Sequence, residues 1–254
     1  MTGENLKVVV VGNGMVGHHY VDQLAKSDIS AEITVLGGEP RPAYDRVHLS
    51  EVFSGKDPEE LGLVTREDYI KMGVSAYFGD MVSSINREEK FVTTQGGRTF
   101  PYDKLVLATG SYAFIPPIPG NDLKGCLSYR TIDDLGEIKA EAKESKIGVV
   151  VGGGLLGLEC ANALQNLGLE THVVEFAPGL MGVQLDPGGS NMLRRKIEAL
   201  GVNIHTSKAT QVIEESNGET RLRMAFADGS ELLADMIVFP QVFVPMINSP
   251  KTLG

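Results

Sequence analysis

Gly12, Gly14 and Gly17 follow a run of four valines, Val8–Val11, and Gly152, Gly154 and Gly157 follow a second run, Val149–Val151. A G-x-G-x-x-G spacing between a buried strand and a helix start suits one chemistry. The first glycine permits a tight turn. The second has no side chain, so a pyrophosphate can approach the backbone. The third lets the helix pack close to the strand. The phosphates then face free N–H groups at the positive end of a helix. One such turn is a weak signal, because glycine-rich turns are common; a second copy in the same chain is harder to dismiss.

In this motif an acid near the end of the second strand holds ribose hydroxyls. Glu175 ends the apolar stretch Glu170–Glu175. It reads either as that acid, which would repel a 2′-phosphate and favour NADH over NADPH, or as a surface acid at a strand end. In the first half the nearest acid is Glu39, pushed out by Gly37 and Gly38. It reads equally as a ribose contact or a loop carboxylate. The histidines, at 18, 19, 48, 172 and 205, have no metal-site spacing. No G-x-S-x-G and no nucleophile–base pair is present. Cys126 and Cys160 are too far apart in sequence for a C-x-x-C pair and read as buried hydrophobes.

These residues need a scaffold, and composition bounds it. At 254 residues the chain suits one large domain or two medium ones. A net charge of −10 argues against a nucleic-acid partner, since phosphate backbones demand basic patches. No apolar run approaches the roughly 20 residues of a membrane span. The start, MTGENLK, has no apolar signal region, and a reducing cytoplasm is the expected compartment.

The pattern predicts strands over 6–11 and 32–36, with a helix from Gly17 to about Lys26 that buries Val16, Tyr20, Val21 and Leu24. Residues 39–50 read as an ordered extended loop. Short helices follow over 58–61 and 65–72, the second capped by Thr65. Strands are expected over 74–78 and 105–108, with extended chain over 80–86 and a hairpin around Gly96-Gly97. The run Ile115–Gly120, IPPIPG, can be neither helix nor central strand and reads as a hinge. A helix from about Thr131 to Lys143 precedes a second cycle. Its strand covers 147–151, its helix 155–167, its next strand 170–175. Then come a helix over 193–200, a strand over 202–206, a hairpin around Asp228-Gly229 and a strand over 235–239. The halves form an internal repeat, each closing with a return strand opened by Asp103 or Asp235. The expected fold is α/β, with two Rossmann-like dinucleotide-binding units, each a parallel sheet with helices plus a small antiparallel meander. Two dinucleotides in series imply electron transfer between them. Glu159, just inside the helix after Gly157, faces the gap between nicotinamide and flavin or simply stabilises the helix dipole.

By the repeat, Thr109-Gly110 should recur at 241–242, where Gln-Val stands instead. Codons for Ser-Thr-Gly-Ile-Arg read one base late give Pro-Gln-Val-Phe-Val, the residues at 240–244. The tail from about 240 is therefore expected to be out of frame, or else a divergent end. The expected domains are 1–114, 115–239 and an aberrant tail, 240–254.

The segments VVGNGMVGH, EPRPAYDRVHLSEVF, YDKLVLATGSY, VVGGGLLGLE, THVVEFAPGLM and FADGSELLADMIVF together resemble the nucleotide-binding module of the assimilatory NAD(P)H nitrite reductase large subunits. That family lies within the pyridine nucleotide-disulfide oxidoreductase superfamily. The resemblance runs from about residue 6 to 239. It implies FAD in the first unit, on Gly12, Asn13, Gly14, Met15, Val16 and Gly17. Arg46 matches the flavin-side loop, Val82 the adenine contact, and Ala108, Thr109 and Gly110 the return strand. It implies NADH in the second unit, on Gly152, Gly153, Gly154, Leu155, Leu156, Gly157 and Glu175. Hydride would pass from nicotinamide to flavin. The family's third flavin segment, sirohaem and iron–sulfur domains would lie beyond residue 254, so nitrite would be reached only through them. A homo-oligomer or a small subunit is left open as partner. Two other readings remain: an NADH-dependent reductase of rubredoxin or ferredoxin type, against which Glu51 after Leu49-Ser50 leans, and a truncated, inactive nucleotide-binding or interaction module.

Overall fold

A computed structural model describes residues 5–240 and 242–245. The described residues divide into two compact units, one formed by 5–46, 58–112 and 243–245, the other by 47–57, 113–240 and 242.

In the first unit, β1 (Leu6–Val11) leads into α1 (Met15–Ala25) and β2 (Ala31–Gly37). After a loop come α2 (Arg66–Lys71), β3 (Ser75–Phe78), β4 (Val82–Asn86), β5 (Phe91–Thr94), β6 (Thr99–Pro101) and β7 (Lys104–Leu107). The parallel sheet has the order β3-β2-β1-β7, and β4-β5-β6 is a separate antiparallel sheet. The valine run explains this arrangement. A parallel strand is covered on both faces, so every residue of it must be apolar. Val8 and Val10 face Val21 of α1 and Tyr69 of α2, while Val9 and Val11 join Val92, Tyr77 and Phe100 on the meander side.

Ser111–Phe114 (β8) and Val242–Pro245 (β17) pair as a two-stranded sheet. In the second unit β9 (Cys126–Tyr129), α3 (Ile132–Ala142), β10 (Ile147–Val151), α4 (Leu155–Asn166) and β11 (Glu170–Val174) come first. Then follow α5 (Pro187–Ala199), β12 (Asn203–His205), β13 (Thr210–Glu215), β14 (Leu222–Phe226), β15 (Glu231–Ala234) and β16 (Met236–Pro240). The parallel sheet is β12-β11-β10-β16-β9, and β13-β14-β15 is its antiparallel companion. Val149, Val174, Ile237 and Phe239 pack against Ile213, Leu222, Met224 and Phe226 between them.

Several expectations need correction. The buried face of α1 is Gly17 and Val21; Val16 is 74% exposed and Tyr20 is 39% exposed. The helix also begins two residues before Gly17, because the turn ends at Gly14. Leu49–Ser54 is a 3-10 helix rather than extended loop, and it belongs to the second unit. Its Leu49, Val52 and Phe53 are buried, Lys139 donates to the Val52 carbonyl at 2.9 Å, and Phe53 packs on Tyr129. The helix expected from 193 starts at Pro187. Asp186 caps it by accepting from the Gly189 N–H at 2.7 Å, with proline at the first helical position. Strands β9 and β13 were not expected. The run Ile115–Gly120 is not a free hinge: Ile115 and Ile118 pack on the second core, and the Pro119 carbonyl accepts from the Ile213 N–H at 2.9 Å. Of the tail, Gln241 and residues 246–254 lie outside the described residues.

The return strands show the repeat most clearly. Asp103 accepts from the Lys7 N–H at 2.8 Å, and its own N–H donates to the Lys7 carbonyl at 2.9 Å. Asp235 accepts from the N–H groups of Lys146 and Ile147 at 2.8 and 3.0 Å, and donates to the Ile147 carbonyl at 2.9 Å. Each aspartate starts its strand in register with the strand that leads into the glycine turn, β1 or β10. Asp235→Ala is expected to lower the unfolding free energy by about 1–2 kcal/mol and Asp235→Asn by less, since the amide keeps an acceptor. Urea denaturation of the two variants checks this.

Candidate functional site

The two glycine turns are built alike. The Gly12 N–H donates to the Leu36 carbonyl at 2.8 Å, and the Gly152 N–H donates to the Val174 carbonyl at 2.8 Å. Both glycines have φ in the left-handed region, +106° and +120°. A Cβ on Gly17 would stand 2.0 Å from the Gly12 carbonyl oxygen, and one on Gly157 would stand 1.9 Å from that of Gly152. No side chain is tolerated at such distances. At Gly14 and Gly154, by contrast, a Cβ would meet nothing within 4 Å. Those two residues are the helix N-caps, with no side-chain cap and no acid in the first turn. The helix starts therefore carry uncapped N–H groups beside open space, which is how a helix terminus receives a phosphate.

The surrounding residues differ between units. In the first, the Ala108 N–H donates to the Val11 carbonyl at 2.7 Å and the Ala108 carbonyl abuts Gly12, so the stretch ending in Thr109 and Gly110 lies against the turn. Met15 and Val16 form the first turn of α1. Val82 opens β4 and packs against the meander-side core. Glu39 accepts from the Tyr44 hydroxyl at 2.7 Å and pairs with Arg46, whose guanidinium lies 5.0 Å over the Tyr44 ring. Arg46 Nη1 and Asn13 Nδ2 are buried with no hydrogen-bond partner among the described residues. Buried donors without acceptors fit a ligand that brings oxygens.

In the second unit Glu175 follows β11 directly. Its carboxylate accepts from the N–H groups of Gly153 and Ala177, both at 2.6 Å. Leu155 is 60% exposed at the helix start, beside Leu156. Burial pushes the Glu159 carboxyl above the usual range. The Met181 N–H donates to the Gly153 carbonyl at 3.0 Å, and Leu180 is fully buried against Gly153.

Strand register bears on the first acid. Val11 pairs with Leu36, as Val151 pairs with Val174. The position matching Glu175 is therefore Gly37, not Glu39. Tyr69, Leu180 and Met181 are further residues at the turns that sequence reasoning did not single out; each is remote in sequence from its glycine motif.

Neither cysteine is an activated nucleophile: burial pushes the Cys126 thiol up to about 11 and raises that of Cys160 further. Cys126 is only half-buried, a departure from the expected buried hydrophobe. Among the described residues no group of three or more His, Cys, Asp or Glu could hold a metal ion, and no helix is long and apolar enough to cross a membrane.

Two uncapped glycine turns, each on a parallel sheet with an antiparallel companion, define a two-dinucleotide α/β protein. The description Pyridine nucleotide-disulphide oxidoreductase matches residues 6–240, and the chain belongs to that family. It is 55% identical over 236 residues to the nitrite reductase (NADH) large subunit of Escherichia coli K12, covering 92% of this chain and 28% of that protein. It is 53% identical over 234 residues to the nitrite reductase [NAD(P)H] large subunit of Klebsiella oxytoca, covering 91% and 24%. The chain thus spans about a quarter of the length of these relatives. A ferredoxin reductase structure from Rhodopseudomonas palustris superposes with a TM-score of 0.88 at 27% identity, covering 96% of this chain and 60% of that one.

Two histidines make the fold pH-sensitive. Burial holds His18 below its ordinary 6.5, and burial, then His172, Lys208 and Arg194, do the same for His205. The unfolded chain takes up these protons first, so the stabilisation is complete above 6.5 and is lost as pH falls toward the folded-state values. The thermal midpoint should fall between about pH 7.5 and about pH 5.5, and less steeply in His205→Gln. Scanning calorimetry across that range checks it.

Proposed function

We propose that the chain is the nucleotide-binding, electron-transfer module of a nitrite reductase large subunit, with FAD on the first unit and NADH on the second. The observation that carries this reading is the doubled turn: two uncapped helix starts, each beside open space, in one chain. The resemblance of the whole span to nitrite reductase large subunits supports the assignment of the two ligands.

Gly12 to Gly17 seat one pyrophosphate and Gly152 to Gly157 the other. Glu175, which accepts from the Gly153 and Ala177 N–H groups, would also accept from the ribose hydroxyls of adenosine, and its charge disfavours a 2′-phosphate. That makes NADH the preferred donor over NADPH. Bound FAD supplies the ring that accepts hydride from reduced nicotinamide. The chain contributes Glu159, in the second turn of α4, whose carboxyl is raised by burial. A sirohaem and iron–sulfur centre outside this span would supply the site where nitrite is reduced, with the cytoplasm as the expected compartment.

The reading is tested by titrating the chain with FAD, NADH and NADPH in turn. Saturable binding of FAD and of NADH, each without displacing the other, is expected; competition between them for one site would sink the proposal. Glu175→Gln should narrow the preference for NADH over NADPH by about tenfold and leave FAD affinity unchanged. Fluorescence titration of both nicotinamide nucleotides on the variant measures this.

A further inference from the structure

The middle residue of each glycine turn has to be held, because it sits between a strand end and a helix start with no regular hydrogen bonds of its own. In the second unit the backbone of Gly153 is held at both ends, its N–H by Glu175 and its carbonyl by the Met181 N–H. The first unit cannot use that device. Gly37 stands where the register would put an acid, and a Cβ there would lie 3.2 Å from the Asn13 Cβ. Large and small have changed places: asparagine in the turn faces glycine on the strand, where the second unit has glycine facing glutamate.

Another residue fills the gap. Tyr69, on α2 and 56 residues away in sequence, is 1% exposed and brings its hydroxyl to 2.5 Å from Asn13 Oδ1. The same hydroxyl lies 3.2 Å from His18 Nδ1, in the first turn of α1. A phenol has one hydrogen to give. With that hydrogen on Asn13 Oδ1, the second contact requires His18 to donate from Nδ1. Burial keeps His18 neutral and pushes the Tyr69 phenol up to about 12, so this arrangement holds across the neutral range. The hydroxyl thus ties residue 13, before the helix, to residue 18, one turn inside it.

We propose that Tyr69 is a positioning residue for the first dinucleotide site. It acts through Asn13: by occupying Oδ1 it fixes the amide so that Nδ2, which has no partner among the described residues, is the donor left for an acceptor oxygen of the bound dinucleotide. This rests on the assignment of FAD to the first unit. The ring of Tyr69 has a separate role, packing edge-on to His18 and against Phe78, which Tyr69→Phe preserves.

The test is equilibrium and stopped-flow binding of FAD to the 254-residue chain, with NADH affinity at the second unit as the internal control. Tyr69→Phe and Asn13→Ala should each weaken FAD binding about tenfold through faster release, with NADH affinity unchanged. The double variant should be no weaker than either single one, because both break the same link. Asn13→Asp keeps the acceptor for Tyr69 but replaces the donor with a charge facing a diphosphate, so it should bind FAD less well than Asn13→Ala. FAD binding by Tyr69→Phe equal to that of the unsubstituted chain, or losses that multiply in the double variant, would overturn the inference. Should Tyr69→Phe not fold, Asn13→Asp decides alone: undiminished FAD affinity overturns the inference. If the unsubstituted chain takes up no FAD while still binding NADH, the assignment of FAD falls, and the inference falls with it.

Discussion

A phosphate reaches a helix start only where the backbone carries no side chain, and a helix start reaches a strand only where the same holds. Both conditions meet twice here, at Gly12–Gly17 and Gly152–Gly157, where a Cβ on the third glycine would stand 2.0 or 1.9 Å from the carbonyl oxygen of the first. The rest of each unit maintains that approach. The valine strands are apolar on both faces because helices cover one side and a meander covers the other. The return strand is locked to β1 by Asp103 or to β10 by Asp235, and in the first unit Ala108 closes against Gly12. Removing glycine from the turn would undo the site and the packing together.

The units are copies in topology but not in chemistry. At the strand end, the second offers a carboxylate and the first offers none; in the turn, the first offers an amide and the second offers none. A carboxylate accepts hydrogen bonds from ribose hydroxyls and repels an extra phosphate. An amide nitrogen donates to an oxygen and repels nothing. This difference supports the proposed assignment of different nucleotides to the two similar cradles. Burial raises the thiols of half-buried Cys126 and buried Cys160 and holds His18 and His205 below their ordinary value, which makes these groups poor reagents and leaves the reaction to bound cofactors.

Much of this was legible in the sequence, and the failures have physical reasons. The glycine turns, the hairpins at Gly96-Gly97 and Asp228-Gly229, and the Thr65 and Thr131 caps are local signals, and each appears in the structure. The helix start expected at Thr131 carries a capping box with Asp134. Cys126–Tyr129 is four residues without alternation, and only its pairing with β16 makes it a strand. Val16 and Tyr20 matched a helical stripe, yet the turn rotates α1 so that Gly17 and Val21 face the sheet. Glu39 was the nearest acid by counting, but register, a property of paired strands, puts Gly37 at that place. Tyr69 could not be found from its motif at all, because 56 residues separate it from Asn13.

The most direct measurement is the visible spectrum of the FAD-loaded chain as NADH is added without oxygen. If the two cradles hold the two nucleotides for hydride transfer, the oxidised flavin absorption bleaches in proportion to the NADH added, with one NADH consumed per flavin. A chain that binds both FAD and NADH yet keeps its oxidised flavin spectrum would contradict electron transfer between the two units.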